Sequence, residues 1–252
     1  MTENFRSRFH GTLLSVFIFW AGYLAVFYAF GTLGLGQLSW ATACSVGMLL
    51  LTLLFLRLER RRAGDIGLAL DRGSVPRFLV GGAIGLGMFA VQLGVVSIFA
   101  GRIGFERTGG NALLAIATFL ALSCAEELAF RGYALRTLDA RLGRWPAQLI
   151  VAVAFALAHV AYGFPVSYAA GVLPAGLVYG AAAVRSRGLA MPIALHAAWN
   201  LADWLVGGKG EPGLWRMALP EGTPMVAGIS YVALHLVVAA IFFAMPRRSP
   251  RS

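Results

Sequence analysis

The chain has 252 residues, of which 59% are hydrophobic and only 13% are charged, and its mean hydropathy is +0.75. Soluble domains carry about 25% charged residues, so this composition excludes an ordinary soluble domain and predicts an integral membrane protein. The formal net charge of +10 does not indicate nucleic acid as a partner. Most of the arginines stand in short clusters between apolar runs, where they set membrane topology instead.

Apolar runs follow one another along the whole chain. A helix needs roughly 20 apolar residues to cross a bilayer, and the sequence predicts about eight such helices. We place them at 11–33, 38–56, 78–101, 111–135, 146–163, 166–184, 189–206 and 226–245. No segment between them is long enough to build its own hydrophobic core. Residues 1–252 are therefore predicted to form one all-α, polytopic membrane domain.

The arginine clusters predict the orientation of these helices. The segments before the first predicted helix and after the second, fourth, sixth and eighth hold most arginines, including the cluster "RLERRR" at 57–62. The alternate segments hold only Arg102, Arg107, Lys209 and Arg216. The positive-inside rule then places both termini in the cytoplasm. The preference for arginine over lysine suggests a GC-rich bacterial genome, so we expect a multi-pass protein of the bacterial inner (plasma) membrane, with the lipid bilayer as a partner.

Glycines recur at a spacing of four in "GGAIG", which begins at Gly81. Small residues four apart allow close packing of membrane helices. The sequence alone favours the simpler interpretation, which is the ordinary abundance of glycine in membrane helices.

Charged side chains in the fourth predicted span need partners or a function. A lone charge at mid-bilayer costs at least about 2.5–3.5 kcal/mol on insertion scales. Glu127 and Arg131 are four residues apart and share a helix face, which suits an ion pair that merely holds the helix. Glu126 points about 100° away around the same helix, so Arg131 cannot serve both carboxylates equally. One carboxylate is left for another purpose.

Further polar residues follow in later spans. His159, taken alone, is more typical of a residue that hydrogen-bonds two helices than of a catalyst. His196 and Asn200 are four apart on one face and could equally join helices. His235 has no polar partner at helical spacing and is interpreted as structural. Glu126, His159, His196 and Asn200 together supply a base, a partner for that base and two hydrogen-bond donors. This is the set of groups needed to activate a water and stabilise an oxyanion.

Three motifs in this region resemble those of a known family. "EELAFR" fits Glu-Glu-x-x-x-Arg, "FALAH" fits Phe-x-x-x-His and "HAAWN" fits His-x-x-x-Asn. Their order and spacing are similar to the CAAX protease and bacteriocin-processing (CPBP, or Abi) family of intramembrane proteases, which includes the type II CAAX prenyl endopeptidases. The resemblance covers about residues 111–206, which we take as the catalytic core. The first hundred residues match only in being helical and hydrophobic.

The resemblance implies an intramembrane endopeptidase whose site lies in a cavity open toward the cytoplasm. It implies that Glu126 and His159 position and activate the attacking water. It also implies that His196 and Asn200 stabilise the tetrahedral oxyanion. The expected substrate is a peptide or protein at the membrane, lipidated or otherwise membrane-associated.

The resemblance also implies roles for three supporting residues. Glu127 and Arg131 would act behind the residues that meet the substrate, as their helical spacing suggests. Phe155 would form a wall of the cavity, one turn before His159.

A metal is an open question at this stage. Glu126, His159 and His196 could bind Zn²⁺ with a water in the fourth position. The sequence has no His-Glu-x-x-His motif, however, and these ligands would come from three separate helices. A metal-free mechanism with Glu126 as general base is at least as compatible with the sequence, so we expect no obligatory cofactor.

Two other classes of function compete with a protease. A non-catalytic scaffold or bacteriocin-immunity protein of the same fold would be favoured by a substitution at one of the four catalytic positions, and none is present. A transporter would be expected to show paired broken helices in two related halves, which this sequence does not show.

Overall fold

The structure is a computed structural model that describes residues 3–100, 103–209, 213–220 and 223–245. Within these ranges the chain is almost entirely helical, and the predicted all-α membrane bundle is confirmed. The helices are α1 (Glu3–Gly31), α2 (Gln37–Leu58), α3 (Ser74–Ala100), α4 (Ala112–Leu142), α5 (Arg144–Ala161), α6 (Val166–Ser186), α7 (Ala190–Leu205) and α8 (Thr223–Ala244). A short 3₁₀ helix (Ala63–Ile66) and two strands, β1 (Gly104–Arg107) and β2 (Trp215–Ala218), complete the described elements.

Seven of these helices are long and apolar enough to cross a bilayer, which makes this a multi-pass membrane protein. The exception in the described part of the chain is α7, with 16 residues. At 1.5 Å per residue it reaches only about 24 Å, against a hydrocarbon core of roughly 30 Å. The helix predicted at 189–206 is therefore present within one residue of its predicted ends, but it is too short to cross the hydrocarbon core as a span. The chain turns back directly after it, since Gly207 has φ +86° and the Gly208 N–H donates to the Asp203 carbonyl at 2.9 Å.

Helix α4 changes its hydrogen-bonding pattern along its length. Asn111 caps its start, because its side-chain oxygen accepts from the Leu114 N–H at 3.1 Å. The segment Leu128–Ala134 is π-helical, and every residue in it is buried. π-Helical turns are rare and often mark functional sites. This one begins immediately after the paired glutamates.

Glycines let α3 approach α7 closely. A Cβ added at Gly81 would collide with the carbonyl oxygen of Met191, and one at Gly85 with that of Leu195. The interpretation of "GGAIG" as ordinary glycine abundance is therefore wrong, because both glycines permit backbone contact between helices. This contact holds α7 against the rest of the bundle.

One end of the bundle, called here the arginine-rich end, consists of the loops between α2 and α3, α4 and α5, and α6 and α7. The loop after α2 is tied to the other two helix pairs. Arg61 Nη1 donates to Thr137 Oγ1 at 2.6 Å, and the Leu189 N–H donates to the Gly67 carbonyl at 3.1 Å. These contacts close that end of the bundle.

The opposite end, called here the strand end, carries the loops between α1 and α2, α3 and α4, α5 and α6, and α7 and α8. Strands β1 and β2 pair antiparallel there, with Gly104 opposite Ala218 and Arg107 opposite Trp215. The Met217 N–H donates to a carbonyl at the end of α7 at 3.0 Å. The two-stranded sheet therefore anchors the strand end to α7.

Candidate active site

A cavity of about 1350 Å³ opens at the strand end of the bundle. Its walls come from α1, α2, α4, α5, α6 and α7. The residues at its rim lie in or beside three strand-end loops: Gly31, Gln37, Gly163, Phe164, Gly208 and Lys209. All four predicted catalytic residues line this one cavity: Glu126, His159, His196 and Asn200. The structure thus brings together side chains from α4, α5 and α7 that are up to 74 positions apart in sequence.

Glu126 lies on the cavity wall and is 7% exposed. Its Oε2 is 3.6 Å from His196 Nε2, which is longer than a direct hydrogen bond. The carboxylate is therefore beside the imidazole without being fixed by it. It remains available to a small molecule in the cavity.

His159 is positioned by its own helix, two residues before α5 ends. Its Nδ1 is 2.8 Å from the Phe155 carbonyl oxygen. Because a carbonyl only accepts, Nδ1 carries the hydrogen, and Nε2 of the neutral ring is then an acceptor. The ring packs against Phe164 and Tyr168, with centroids 5.9 and 6.0 Å away.

Behind the cavity wall is a buried layer formed by Glu127 and Arg131, whose side chains are both 0% exposed. Arg131 Nη1 donates to Glu127 Oε1 at 3.2 Å, and Nη2 donates to the Gly176 carbonyl at 3.1 Å. The same Glu127 oxygen lies 3.0 Å from His196 Nδ1. Glu127 therefore links the buried arginine to a cavity residue and fixes the orientation of that imidazole.

Aromatic rings complete the buried layer. The Arg131 guanidinium carbon lies 4.3 Å from the ring centroid of Phe155, a cation–π contact. Phe155, which was expected to form a cavity wall, is 1% exposed and is not among the residues that line the cavity. Its ring instead packs behind the wall, 4.9 Å from the His159 ring and 6.0 Å from the His196 ring.

Sequence reasoning missed Tyr179 of α6. Its ring stacks on His196, with centroids 4.4 Å apart and an interplanar angle of 18°. The side chain is buried, and Arg131 lies 5.3 Å from the ring centroid. The one signal in the sequence was a tyrosine in the middle of an apolar span, where its hydroxyl needs a partner. With Glu127 at one nitrogen and Tyr179 on one face, the His196 ring is held on two sides.

Two further polar residues in the spans, His235 and Asp203, are not among the residues that line the cavity. His235 is buried in α8, with Nδ1 2.8 Å from the Tyr231 carbonyl oxygen, and it does not line the cavity. Asp203 lies one turn beyond Asn200, near the end of α7, and its carboxylate is 3.2 Å from Lys209 Nζ. Both have structural partners of their own.

The three residues proposed for zinc line the same cavity, but they do not form a three-ligand group in the described part of the chain. In the part of the chain that the structure describes, no three His, Cys, Asp or Glu side chains come together in a way that could hold one ion. His196 Nδ1 contacts Glu127 and His159 Nδ1 contacts a backbone carbonyl, so Nε2 is the nitrogen of each ring that remains for an ion or a substrate. We therefore derive no chemical step through a metal.

The position of the cavity creates a conflict between two expectations. The arginine distribution places the arginine-rich end in the cytoplasm, and the family resemblance implies a cavity open toward the cytoplasm. The cavity rim lies at the strand end, at the opposite end of the bundle. Both expectations cannot hold, because the two ends face opposite sides of the membrane.

Comparison with known families bears on the same region. Residues 108–202 match the family model described as type II CAAX prenyl endopeptidase Rce1-like. This segment includes all four predicted catalytic residues and the buried layer behind them. The resemblance to the CAAX protease family is thereby confirmed over this segment, and it supports endopeptidase activity at the membrane in general terms. No curated protein matches the chain.

Proposed function

We propose that the protein is an intramembrane endopeptidase that hydrolyses a peptide bond of a membrane-associated or lipidated polypeptide. The observation that carries the proposal is the convergence of Glu126, His159, His196 and Asn200 on one cavity. These side chains supply two acceptors for a water and two groups that can donate to an oxyanion. The catalytic core is residues 111–206, within a single membrane domain of residues 1–252.

In the first step a water donates one hydrogen bond to the Glu126 carboxylate and one to His159 Nε2. This orientation turns a lone pair of the water oxygen toward the scissile carbonyl carbon. Glu126 takes the proton as the new C–O bond forms, acting as a general base. The protonated Glu126 then returns that proton to the leaving nitrogen as the C–N bond breaks. The carboxylate is regenerated, and the products are a carboxyl and an amino terminus.

Asn200 and His196 serve the tetrahedral intermediate. Asn200 offers its amide N–H groups to the negative oxygen, while His196 offers Nε2–H in its protonated form. Donors fixed in a water-poor site stabilise an oxyanion far better than the same donors do in water.

The mechanism that we propose has no obligatory metal. Asn200 is a poor Zn²⁺ ligand and a good amide donor, and it shares a helix face with His196. His196 is held by a carboxylate on Nδ1 and lies 3.6 Å from the proposed base. A histidine placed in this way is suited to charge stabilisation beside the reacting carbonyl.

The most informative test compares the cellular peptide termini of cells carrying the wild-type protein with those of cells carrying Glu126→Gln. We expect a defined set of membrane-associated proteins whose new termini disappear in the variant at equal protein level. Asp203→Asn is the matched control, since that carboxylate lies on α7 close to the cavity but pairs with Lys209. Identical termini in all three strains would instead favour the scaffold or immunity role.

A further inference from the structure

The side of the membrane from which the cavity is reached follows from two features of the described chain. The first is closure of the arginine-rich end. Arg136 Nη2 donates to the Ala183 carbonyl at 2.8 Å, and Tyr133 hydrogen-bonds the Glu59 carboxylate. The fully buried Glu127–Arg131 layer lies between that end and the cavity. Among the described residues, the cavity lining includes residues of three strand-end loops and none of the arginine-rich loops, so the cavity opens toward the strand end.

The second feature is charge. The loops of the arginine-rich end carry the cluster "RLERRR" and further arginines after α4 and α6. The described strand end carries three basic residues, and two of these lie beside carboxylates. Lys209 is 3.2 Å from Asp203, and Arg216 is 3.9 Å from Glu106. The described strand end thus has little net positive charge, as expected of loops that are translocated across the membrane.

From these two features we infer that the cavity opens to the extracytoplasmic side, and that its substrates are polypeptide segments exposed there. The arginine-rich end then faces the cytoplasm of a bacterial cell, and the mouth of the cavity faces outward from the inner membrane. The expectation of a cytoplasmic opening, which came from the family resemblance alone, is the one to be given up. The side of opening does not depend on catalysis, whereas the cleavage of such segments rests on the proposed function.

The cavity wall indicates what kind of segment fits. Aromatic residues from five elements line it, among them Phe27, Trp40, Tyr162, Phe164 and Trp204. The charged side chains on the described wall are Glu126 deep inside and Lys209 at the rim. Bulky apolar side chains would be buried against these rings, since aromatic pairs add about 0.5–1.5 kcal/mol beyond the area that they bury. An exported or membrane-anchored segment rich in large apolar residues matches this lining.

The first experiment decides the side of opening with a matched pair of cysteine variants. Leu33 lies in the strand-end loop after α1 and is 61% exposed, while Leu70 lies in the arginine-rich loop after α2 and is 86% exposed. Leu33→Cys and Leu70→Cys are made in a chain with Cys44→Ser and Cys124→Ser. Neither substitution alters charge, so neither biases topology. Intact cells are treated with a membrane-impermeant maleimide, before and after permeabilisation.

We expect Leu33→Cys to be labelled in intact cells and Leu70→Cys to be labelled at least ten-fold more after permeabilisation. The reverse pattern would overturn the inference, because the cavity mouth would then face the cytoplasm. Labelling of both positions in intact cells would overturn it as well, since it would mean that the two ends do not lie on opposite sides.

A second arm tests the route of the substrate. Tyr28 lines the cavity and is 76% exposed, so Tyr28→Cys places a thiol in its mouth. A bulky impermeant maleimide added to intact cells should reduce the formation of Glu126-dependent termini at least ten-fold in this variant and not in Leu70→Cys. If the thiol is labelled from outside and cleavage continues unchanged, substrates do not enter by this mouth. A complete absence of Glu126-dependent termini would contradict the proposed protease activity instead, and the labelling arm would still decide the side of opening.

Discussion

Two neighbouring glutamates lie in different surroundings. Glu126 belongs to the cavity wall, and Glu127 belongs to the buried layer behind it. Glu126 borders the cavity, and its nearest basic partner, a nitrogen of His196, is 3.6 Å away. Glu127 is 0% exposed, and one of its oxygens meets both Arg131 and His196 within 3.2 Å. A rotation of about 100° along one helix therefore separates a carboxylate that borders the cavity from one that is buried between two basic side chains.

The comparison also explains how Glu127 and Arg131 can both be fully buried. An isolated buried charge is costly, whereas a paired and hydrogen-bonded one is tolerated. Arg131 compensates Glu127, and Glu127 in turn directs His196 toward the cavity. The buried layer thus supports the cavity wall, and each can be altered separately by substitution.

Glu126→Gln should have the largest effect, because it removes the base and leaves the volume nearly unchanged. General bases contribute about 10²–10⁴-fold to rate, so peptide cleavage by purified protein should fall by at least 100-fold. The thermal unfolding profile should stay close to that of the wild type. If cleavage persists in Glu126→Gln but is lost in a normally folded Glu127→Gln protein, the assignment of the two glutamates is reversed.

Glu127→Gln should act mainly on stability. Removing one partner of a buried ion pair costs about 3–5 kcal/mol, because the other charge is left uncompensated. We expect a clear fall in melting temperature and in yield. The double variant Glu127→Gln with Arg131→Met is the matched control, and it should regain part of the lost stability because no unpaired charge remains. A double variant less stable than Glu127→Gln alone would contradict this reasoning.

Asn200→Ala should affect the chemical step and leave the fold intact. Loss of one oxyanion donor typically lowers kcat by about 10²–10³-fold, with little change in substrate affinity. Steady-state measurement of kcat and KM on one peptide substrate separates these two effects. Asp203→Asn, one turn away on α7 and paired with Lys209, should stay near wild-type kcat. An unchanged kcat in Asn200→Ala would remove this residue from the mechanism.

The fold was largely predictable because long apolar runs in a membrane chain leave few alternatives to helices. The predicted boundaries fail where local geometry decides them. The fourth span was predicted to end at 135, but its helix continues beyond the π-helical segment to Leu142. The role of Gly81 was also missed, because whether a glycine faces another backbone depends on helix pairing that periodicity does not reveal.

The candidate site was predictable in its members and less so in its arrangement. Helical spacing alone separated Glu126 from Glu127 and paired the latter with Arg131. It could not show that Phe155 packs behind the wall, nor that Tyr179 stacks on His196, since both depend on how α5 and α6 approach α4 and α7. The motifs also could not predict at which end the cavity opens, because that depends on which loops line its rim.

The smallest effect is expected from metal removal, and here the cavity wall itself is tested. If Glu126 works as a general base without a metal, prolonged treatment of the active protein with a chelator should leave kcat within about two-fold of its starting value, since the base alone supplies the proton-transfer contribution. Purified protein should also contain much less than one metal ion per chain.

The alternative places Zn²⁺ on Glu126, His159 and His196, and the same carboxylate could not then freely accept the proton of water. That arrangement would also require Nε2 of both imidazoles to approach one ion. The Nδ1 contacts with Glu127 and Phe155 leave both Nε2 atoms available, but the described side chains do not form a three-ligand group. Stoichiometric zinc, with activity lost on its removal and restored on its return, would show that the metal-free mechanism is wrong.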